Sequence, residues 1–397
     1  MEIQDNQASS VWIERLKLNH FRNYASLKLE LDQRHVVLTG ENGAGKTNLL
    51  EAVSFLSPGR GLRRSPYDRV AQKLTIQSST PRDPQEGTWA VHATLQGAEG
   101  PVEIGTGLQA GSAGIDPQRK VFINSAQSKT SDALLEHARI LWLTPAMDGL
   151  FTGPAGDRRR FLDRLVLAID PSHGRRVANY EKSMRSRNKL LEDYNADPKW
   201  LESIEAQMAE TGVAVAFARG ELVSLLQSII AQGPAGPQAI FPNAEISLDG
   251  LLESLMRDGA AADLEDSFRA ELARNRQRDR AAGRTLQGPH RSNLIVRHGP
   301  KNMDAHLCST GEQKALLTGL VLAHAKLVSD VSAMAPIVLL DEIAAHLDEL
   351  RRAALFDLID GIGCQAWMTG TDQPMFDELG ERAQFFKVAS GTLNKAG

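Results

Sequence analysis

Residues 40–47 read Gly-Glu-Asn-Gly-Ala-Gly-Lys-Thr, the GxxxxGK[ST] spacing, and no other stretch limits the fold as tightly. The preceding run His35–Thr39 (HVVLT) is uninterruptedly apolar, as a strand buried on both faces requires. Thr47 to about Leu56 has helix-forming composition. Strand, tight loop and helix in that order make a phosphate cradle. The loop residues Gly40, Glu41, Asn42, Gly43, Ala44 and Gly45 can turn successive N–H groups toward phosphate oxygens, and the helix start adds partial positive charge. Lys46 would reach the β- and γ-phosphates and Thr47 would ligate Mg²⁺. The plain alternative, a glycine-rich turn capping a helix, leaves the full spacing in this context unexplained.

A magnesium–triphosphate site needs a carboxylate at the end of a neighbouring buried strand. Residues 336–342 (PIVLLDE) supply one: four apolar residues, then Asp341 to hold Mg²⁺ through water and Glu342 to polarise the attacking water. By itself such an ending is also an ordinary solvated strand end. Ser309-Thr310-Gly311-Glu312-Gln313-Lys314 opens an apolar-periodic helix, and there Ser and Gly equally suit a plain helix cap.

Residues 11–18 alternate with period two, 27–31 form a further strand, and 88–125 hold short alternating segments between Gly, Pro and Ser clusters. Ile140–Leu143 is another short strand. From Asp157 to about Gln232 the pattern is helical, with Pro171 and Pro198 where helices can start. A Gly/Pro-rich break at 232–242 and a helical stretch at 251–275 follow. Strands return at 293–297, 337–340 and 365–369, alternating with helices at 311–330 and 348–359. The expected fold class is α/β, with parts 11–145 and 288–397 bracketing a mainly helical lobe at 146–287, after a disordered tail at 1–10.

The two cysteines, Cys308 and Cys364, can build neither a disulfide framework nor a zinc site, which suits a reducing cytoplasm. No run of 18 apolar residues marks a membrane span, and the polar N-terminus lacks the apolar segment of a secretory signal. The formal net charge of −4 argues at first against a polyanion partner. Its distribution reverses that. Residues 269–301 hold nine Lys+Arg against two Asp+Glu, 157–193 ten against six, and 60–73 five against one. Solvated helix faces produce such runs too. The densest run contains Arg274, Arg276, Arg278, Arg280 and Arg284 and is the best candidate for contacting a polyanion such as DNA. Aromatic residues are not interleaved with those arginines, so mostly phosphate-backbone contact with duplex is expected, weakening with salt.

Ser-x-Gly-Glu-Gln at this offset before Asp341 resembles the signature motif of the ABC ATPase superfamily, and Ala345-His346-Leu347-Asp348 resembles its D-loop. The resemblance implies an ABC-type P-loop ATPase head, with mixed sheets flanked by helices, that dimerises on ATP. The signature residues Ser309, Gly311 and Glu312 of one subunit would act in trans on the nucleotide held by another, with D-loop Asp348 at the same interface. The large insertion points to the SMC-like branch, and sustained heptads are absent, so a compact lobe is expected in place of a long coiled coil.

Asn19-His20-Phe21-Arg22-Asn23-Tyr24, the segment Phe151–Pro154 with Asp157–Asp163, and Gly288-Pro289-His290-Arg291 are similar to the RecF family of bacterial recombination mediators over nearly the whole chain. That resemblance adds Arg22 to the ATP-binding residues. It implies a weak, DNA-stimulated ATPase that binds duplex and single/double-strand junctions and acts with RecR and RecO to load RecA. The chain departs from the family pattern at Ser292 and Asn293, where two aspartates are usual. It has no Q-loop glutamine in Leu141–Pro145, and Met368–Asp372 lacks an H-loop histidine; Thr371 or Asp372 could sense the γ-phosphate instead. An ABC-type subunit that works on a protein partner without touching DNA, and an ATP-gated nuclease, are the competing classes.

Overall fold

Alternation of apolar and polar residues builds the first sheet. β1 (Trp12–Phe21) turns tightly into β2 (Tyr24–Glu30), and β3 (His35–Thr39), buried at all five positions, leaves for a different sheet. β4 (Trp89–Gly97), β5 (Gly100–Leu108), β6 (Arg119–Ile123) and β7 (Ala126–Gln127) complete an antiparallel sheet of order β2-β1-β4-β5-β6-β7. The inward residues Leu16, Leu18, Val91, Leu95 and Ile104 share one apolar core with Leu49 and Val53 of α1 (Lys46–Ser54). β8 (Ile140–Leu143) ends this stretch. The computed structural model describes residues 8–72, 87–109, 118–195, 197–233, 240–258 and 263–396. The chain divides into one unit of Met1–Met147 with Val321–Gly397, and a second of Asp148–Leu320.

The second unit is led by α2 (Ala155–Ile169), α3 (His173–Glu192) and α4 (Pro198–Gln232). Pro198 occupies the first turn of α4, and Asp197 caps it by accepting from the Lys199 amide at 2.9 Å. β9 (Ala244–Asp249), α5 (Leu251–Asp258), α6 (Leu264–Arg274), α7 (Arg276–Ala282), β10 (Asn293–His298) and β11 (Met303–Asp304) follow. The mainly helical lobe thus contains a sheet of order β11-β10-β9, which the sequence reading placed only in part. β9 pairs with β10 from Asn293↔Asp249 to His298↔Ala244, and this pairing draws the segment after residue 287 into the second unit. The second unit thus runs past the expected lobe end at 287 to Leu320, within α8 (Thr310–Ser332). α4 and α8 are each long and apolar enough to cross a bilayer by length and composition. In both, buried stripes such as Met208, Val213 and Leu222, or Leu316, Leu320 and Val328, face the protein interior.

Back in the first unit, β12 (Ile337–Leu340), α9 (Glu349–Ile362), β13 (Ala366–Gly370), β14 (Ala383–Ala389) and β15 (Thr392–Lys395) finish the second sheet. Its order is β15-β14-β3-β13-β12-β8, parallel from β14 to β8, with β15 as an antiparallel edge. In such a sheet the carboxyl ends of β3, β12 and β13 lie along one edge, which is where ligands bind in open α/β folds. Of the expected tail, residues 1–7 lie outside the described residues. Ser9 is fixed: its amide donates to the Ala333 carbonyl and its carbonyl accepts from the Ala335 amide, each at 3.0 Å.

Gly288–Arg291 is anchored inside the second unit. His290 Nδ1 lies 2.8 Å from the Tyr180 hydroxyl and Nε2 lies 3.0 Å from the Thr285 carbonyl, so a neutral ring can donate from Nε2 and accept at Nδ1. Burial pushes its pKa down to about 4; Arg291 and Arg159 push the same way, against the Thr285 hydrogen bond and Asp279. The unfolded ring takes its proton near pH 6.5, so folding stability is full above that value and falls as pH drops toward 4. The loss is about 3 kcal/mol. Urea midpoints at neutral and mildly acid pH are expected to separate more for the native protein than for His290→Gln. Equal separation in the two proteins would refute the assignment.

Candidate nucleotide site

The loop after β3 is held by the turn between β1 and β2. Asn23 Nδ2 donates to the Ala44 carbonyl at 3.0 Å, Asn48 Nδ2 donates to Asn23 Oδ1 at 2.6 Å, and the Tyr24 hydroxyl donates to the Gly45 carbonyl at 3.0 Å. Gly45 sits at φ +118°, and a Cβ there would stand 2.4 Å from Asn23 Nδ2 and 2.9 Å from the Tyr24 hydroxyl. Gly40, at φ +146°, has the Val388 carbonyl oxygen 2.3 Å from where its Cβ would be. Both positions therefore require glycine. Lys46 is buried and donates to the carbonyls of Gly40 at 2.6 Å and Glu41 at 2.9 Å, curling back over its own loop. Burial holds its pKa below the usual lysine range, opposed by the carboxylates of Glu342, Asp341 and Asp372. An ammonium short of solvent, at the start of a helix, is suited to a polyphosphate.

The carboxylates stand where β12 ends. Thr47 Oγ1 lies 2.9 Å from Asp341 Oδ1 and 3.1 Å from Oδ2, tying the loop to the strand. Thr369 of β13 links the pair: its hydroxyl donates to Asp341 Oδ1 at 2.8 Å and accepts from the Glu342 amide at 2.8 Å. Glu342 is held at φ +54°, a conformation that costs a non-glycine residue about 1 kcal/mol or more. Hard oxygens from Thr47 and Asp341, side by side, fit the donor set Mg²⁺ takes alongside phosphate and water. Thr369 was not singled out from the sequence. It is the one polar side chain in the strand Ala366–Gly370, and the fold buries it fully.

Arg22 forks onto the buried Glu51 of α1, from Nε at 2.8 Å and Nη2 at 2.6 Å, and also donates to Ser65 and to the Arg69 carbonyl. It braces the helix behind the loop. Asp348 caps α9 by accepting from the Arg351 amide at 2.9 Å, and beside it Leu350 is 81% exposed. Thr371 donates to Asp372 Oδ2 at 3.0 Å, at the exposed end of β13.

The signature residues belong to the second unit. Ser309 and Gly311 are exposed, while Glu312 accepts from both the Ser309 amide and hydroxyl at 2.9 Å, a capping box at the start of α8. Lys301, with these two bonds, draws the Glu312 pKa down to about 2. A phosphate docking on Ser309 must displace that carboxylate, and Lys301 is already paired with it.

The expected DNA arginines do not all face solvent. Arg276 turns inward onto the buried Glu205, at 2.6 Å from Oε2. Arg280 donates to the Leu191 carbonyl at 2.7 Å and lies 4.8 Å from the centre of the Tyr194 ring. Arg274 pairs with Glu271 at 2.6 Å but stays exposed, as do Arg278 and Arg284. Among the described residues no three His, Cys, Asp or Glu gather as a metal site.

Comparison with known proteins agrees with this architecture. The family described as RecF/RecN/SMC N terminal domain matches residues 12–394. The DNA replication and repair protein RecF of Rhizobium meliloti (strain 1021) is 56% identical over 384 residues, covering 97% of this chain and 99% of that protein. The protein of the same description from Brucella suis biovar 1 (strain 1330) is 58% identical over 398 residues, covering 99% of each. Two solved structures of the recombination mediator protein RecF in the RecFOR pathway share the fold. The RecF-ATPrS structure superposes with a TM-score of 0.82 at 19% identity, covering 99% of this chain and all of that one, and the RecF-ATP structure with 0.83 at 20%, covering all of both. The chain belongs to the RecF group of the RecF/RecN/SMC N terminal domain family of ABC-type ATPases.

Proposed function

We propose that the protein is a cytoplasmic ATP-driven dimerisation switch that binds DNA at single-strand gaps and junctions during replication and repair. The observation that carries the ATPase reading is the hydrogen-bond chain from Thr47 through Asp341 and Thr369 to Glu342, which couples a phosphate loop to a carboxylate at a strained strand end. The relatives' name, DNA replication and repair protein, supports the cellular role.

ATP would lie across residues 40–47 with Lys46 on the β- and γ-phosphates. Thr47 and, through water, Asp341 would hold Mg²⁺, which when bound neutralises phosphate charge. Glu342 would take the proton of the attacking water. A second copy would close the site with Ser309 and Gly311 at the start of α8, and with Asp348 nearby, so each two-fold dimer would hold two nucleotides. Hydrolysis would remove the phosphate that joins the halves, and the dimer would open. Arg274, Arg278 and Arg284 would contact duplex phosphates, giving weak sequence preference and strong salt dependence. Partners RecR and RecO, and delivery of RecA to the gap, complete the role by family.

Sedimentation with ATP, ADP and no nucleotide tests the switch. Dimers are expected with ATP alone. Lys46→Ala loses them together with nucleotide binding, whereas Ser309→Arg binds nucleotide and stays monomeric. A monomer fraction indifferent to nucleotide in the native protein, or dimers retained by both variants, would overturn the proposal.

A further inference from the structure

The solvent face of the first sheet carries a row of side chains with a gap in it. Strand register sets Lys28, Lys17, His92, Gly105 and Phe122 side by side across β2, β1, β4, β5 and β6. The next row reads Ser26, Asn19, Ala90, Gly107 and Lys120. With no side chain at 105 or 107, a trough opens as two hollows of about 530 and 560 Å³ that share Asn19, His92, Gly105 and Phe122.

The trough has a flat wall on each side of the gap. A Cβ built on Gly105 would lie 3.0 Å from His92 Nδ1 and 3.7 Å from Phe122 Cβ, so the imidazole leans over the glycine toward the phenyl group. Burial and the charge of Lys17 hold the His92 pKa below its usual value, which favours a neutral, stackable ring. Cations line the trough: Arg15, Lys17 and Lys120, against Glu103 as the one carboxylate among the described residues that line it. Lys17 is exposed, and Lys120 donates to Gln109 at 2.6 Å, a neutral partner that a phosphate can replace.

An open antiparallel sheet with an outward aromatic ring, a neighbouring flat ring and flanking cations is the surface on which unpaired bases stack. Duplex bases are already stacked on one another and have no free face to offer it. The volume is that of a small-ligand pocket, enough for one unstacked nucleotide. We propose that this trough is a single-strand subsite, where a base lies on Phe122 and His92 while Lys17 and Lys120 hold the flanking phosphates. The inference rests on the DNA-binding reading above and deepens it: the exposed arginines account for duplex, and the trough for the single-stranded side of a junction.

The full-length protein, titrated into labelled oligo(dT) of about 10 nucleotides and separately into blunt duplex, provides the test, with fluorescent ATP binding as the check of folding. Phe122→Leu, which keeps apolar bulk and loses the π face, is expected to weaken oligo(dT) binding roughly 5- to 100-fold and to leave blunt duplex within about twofold. Phe122→Tyr is expected to bind oligo(dT) as the native protein does, and Lys17→Glu to lose oligo(dT) affinity. Unchanged oligo(dT) binding by Phe122→Leu, equal loss on both probes, or no oligo(dT) binding by the native protein overturns the subsite. Displacement of oligo(dT) by thymidine monophosphate at equal concentration also overturns it, in favour of a free-nucleotide pocket. Absence of duplex binding, with Phe122-dependent oligo(dT) binding intact, sinks the duplex reading and leaves the trough standing.

Discussion

Glu342→Gln is expected to slow ATP turnover by roughly 10²- to 10⁴-fold, the usual contribution of a positioned general base. Nucleotide affinity should stay within about twofold, because the cradle at 40–47 and the Thr47–Asp341 contact are untouched. Glutamine keeps the length and planar head of the side chain but cannot accept a proton from water. The backbone at 342 is fixed independently of the side chain, at φ +54° with its amide on Thr369 Oγ1 at 2.8 Å, so the substitution should not move the loop. Thr369→Val, nearly isosteric, removes both bonds that set this geometry and should lower turnover while sparing affinity. Phosphate release under saturating ATP, alongside equilibrium binding of a fluorescent nucleotide, separates the two effects. Turnover within tenfold of native for Glu342→Gln would remove Glu342 from the role of base.

Thr369 also shows what the sequence could and could not convey. Spacing picked out Gly40–Thr47 as a candidate cradle, and pairing with that loop made candidates of Asp341 and Glu342, because the loop and its carboxylates are local arrangements whose order in the chain follows the chemistry. Thr369 matters through sheet order: β13 lies between β3 and β12, an adjacency no local pattern encodes. The Asn23 and Tyr24 contacts that fix the loop likewise join residues whose segment was visible only as a family resemblance. β9 was missed because a six-residue strand following a Gly/Pro-rich break carries too short an alternation to stand out, and its partner β10 comes much later in the chain. Charge counting failed in a different way. It weighed Arg187 and Arg276 with the exposed arginines, although both point into the second unit, because composition records a charge and not its direction.

Arg187→Ala is expected to destabilise the second unit by about 3–5 kcal/mol, the cost of breaking a buried charge network from one side. Its guanidinium is fully buried and uses every nitrogen. Nε donates to Glu205 Oε1 at 3.0 Å, Nη1 to Asp279 Oδ2 at 2.6 Å and Thr285 Oγ1 at 2.9 Å, and Nη2 to the Leu272 carbonyl at 2.7 Å. One side chain of α3 thereby ties together α4, α6 and α7. Glu205 keeps a second cation in Arg276, but Asp279 is left buried at 1% exposure with only the Leu286 amide, at 2.9 Å, on its other oxygen. Desolvation of that carboxylate, and not the lost attraction alone, makes the penalty large. Thermal unfolding followed by circular dichroism should show the transition of this unit falling by roughly 6–20 °C. Adding Asp279→Asn to Arg187→Ala should recover part of the loss, since it removes the stranded charge and leaves an amide that still accepts from Leu286. A single-variant loss under about 1 kcal/mol, or a double variant no more stable than the single, would show that the network is not what joins these helices.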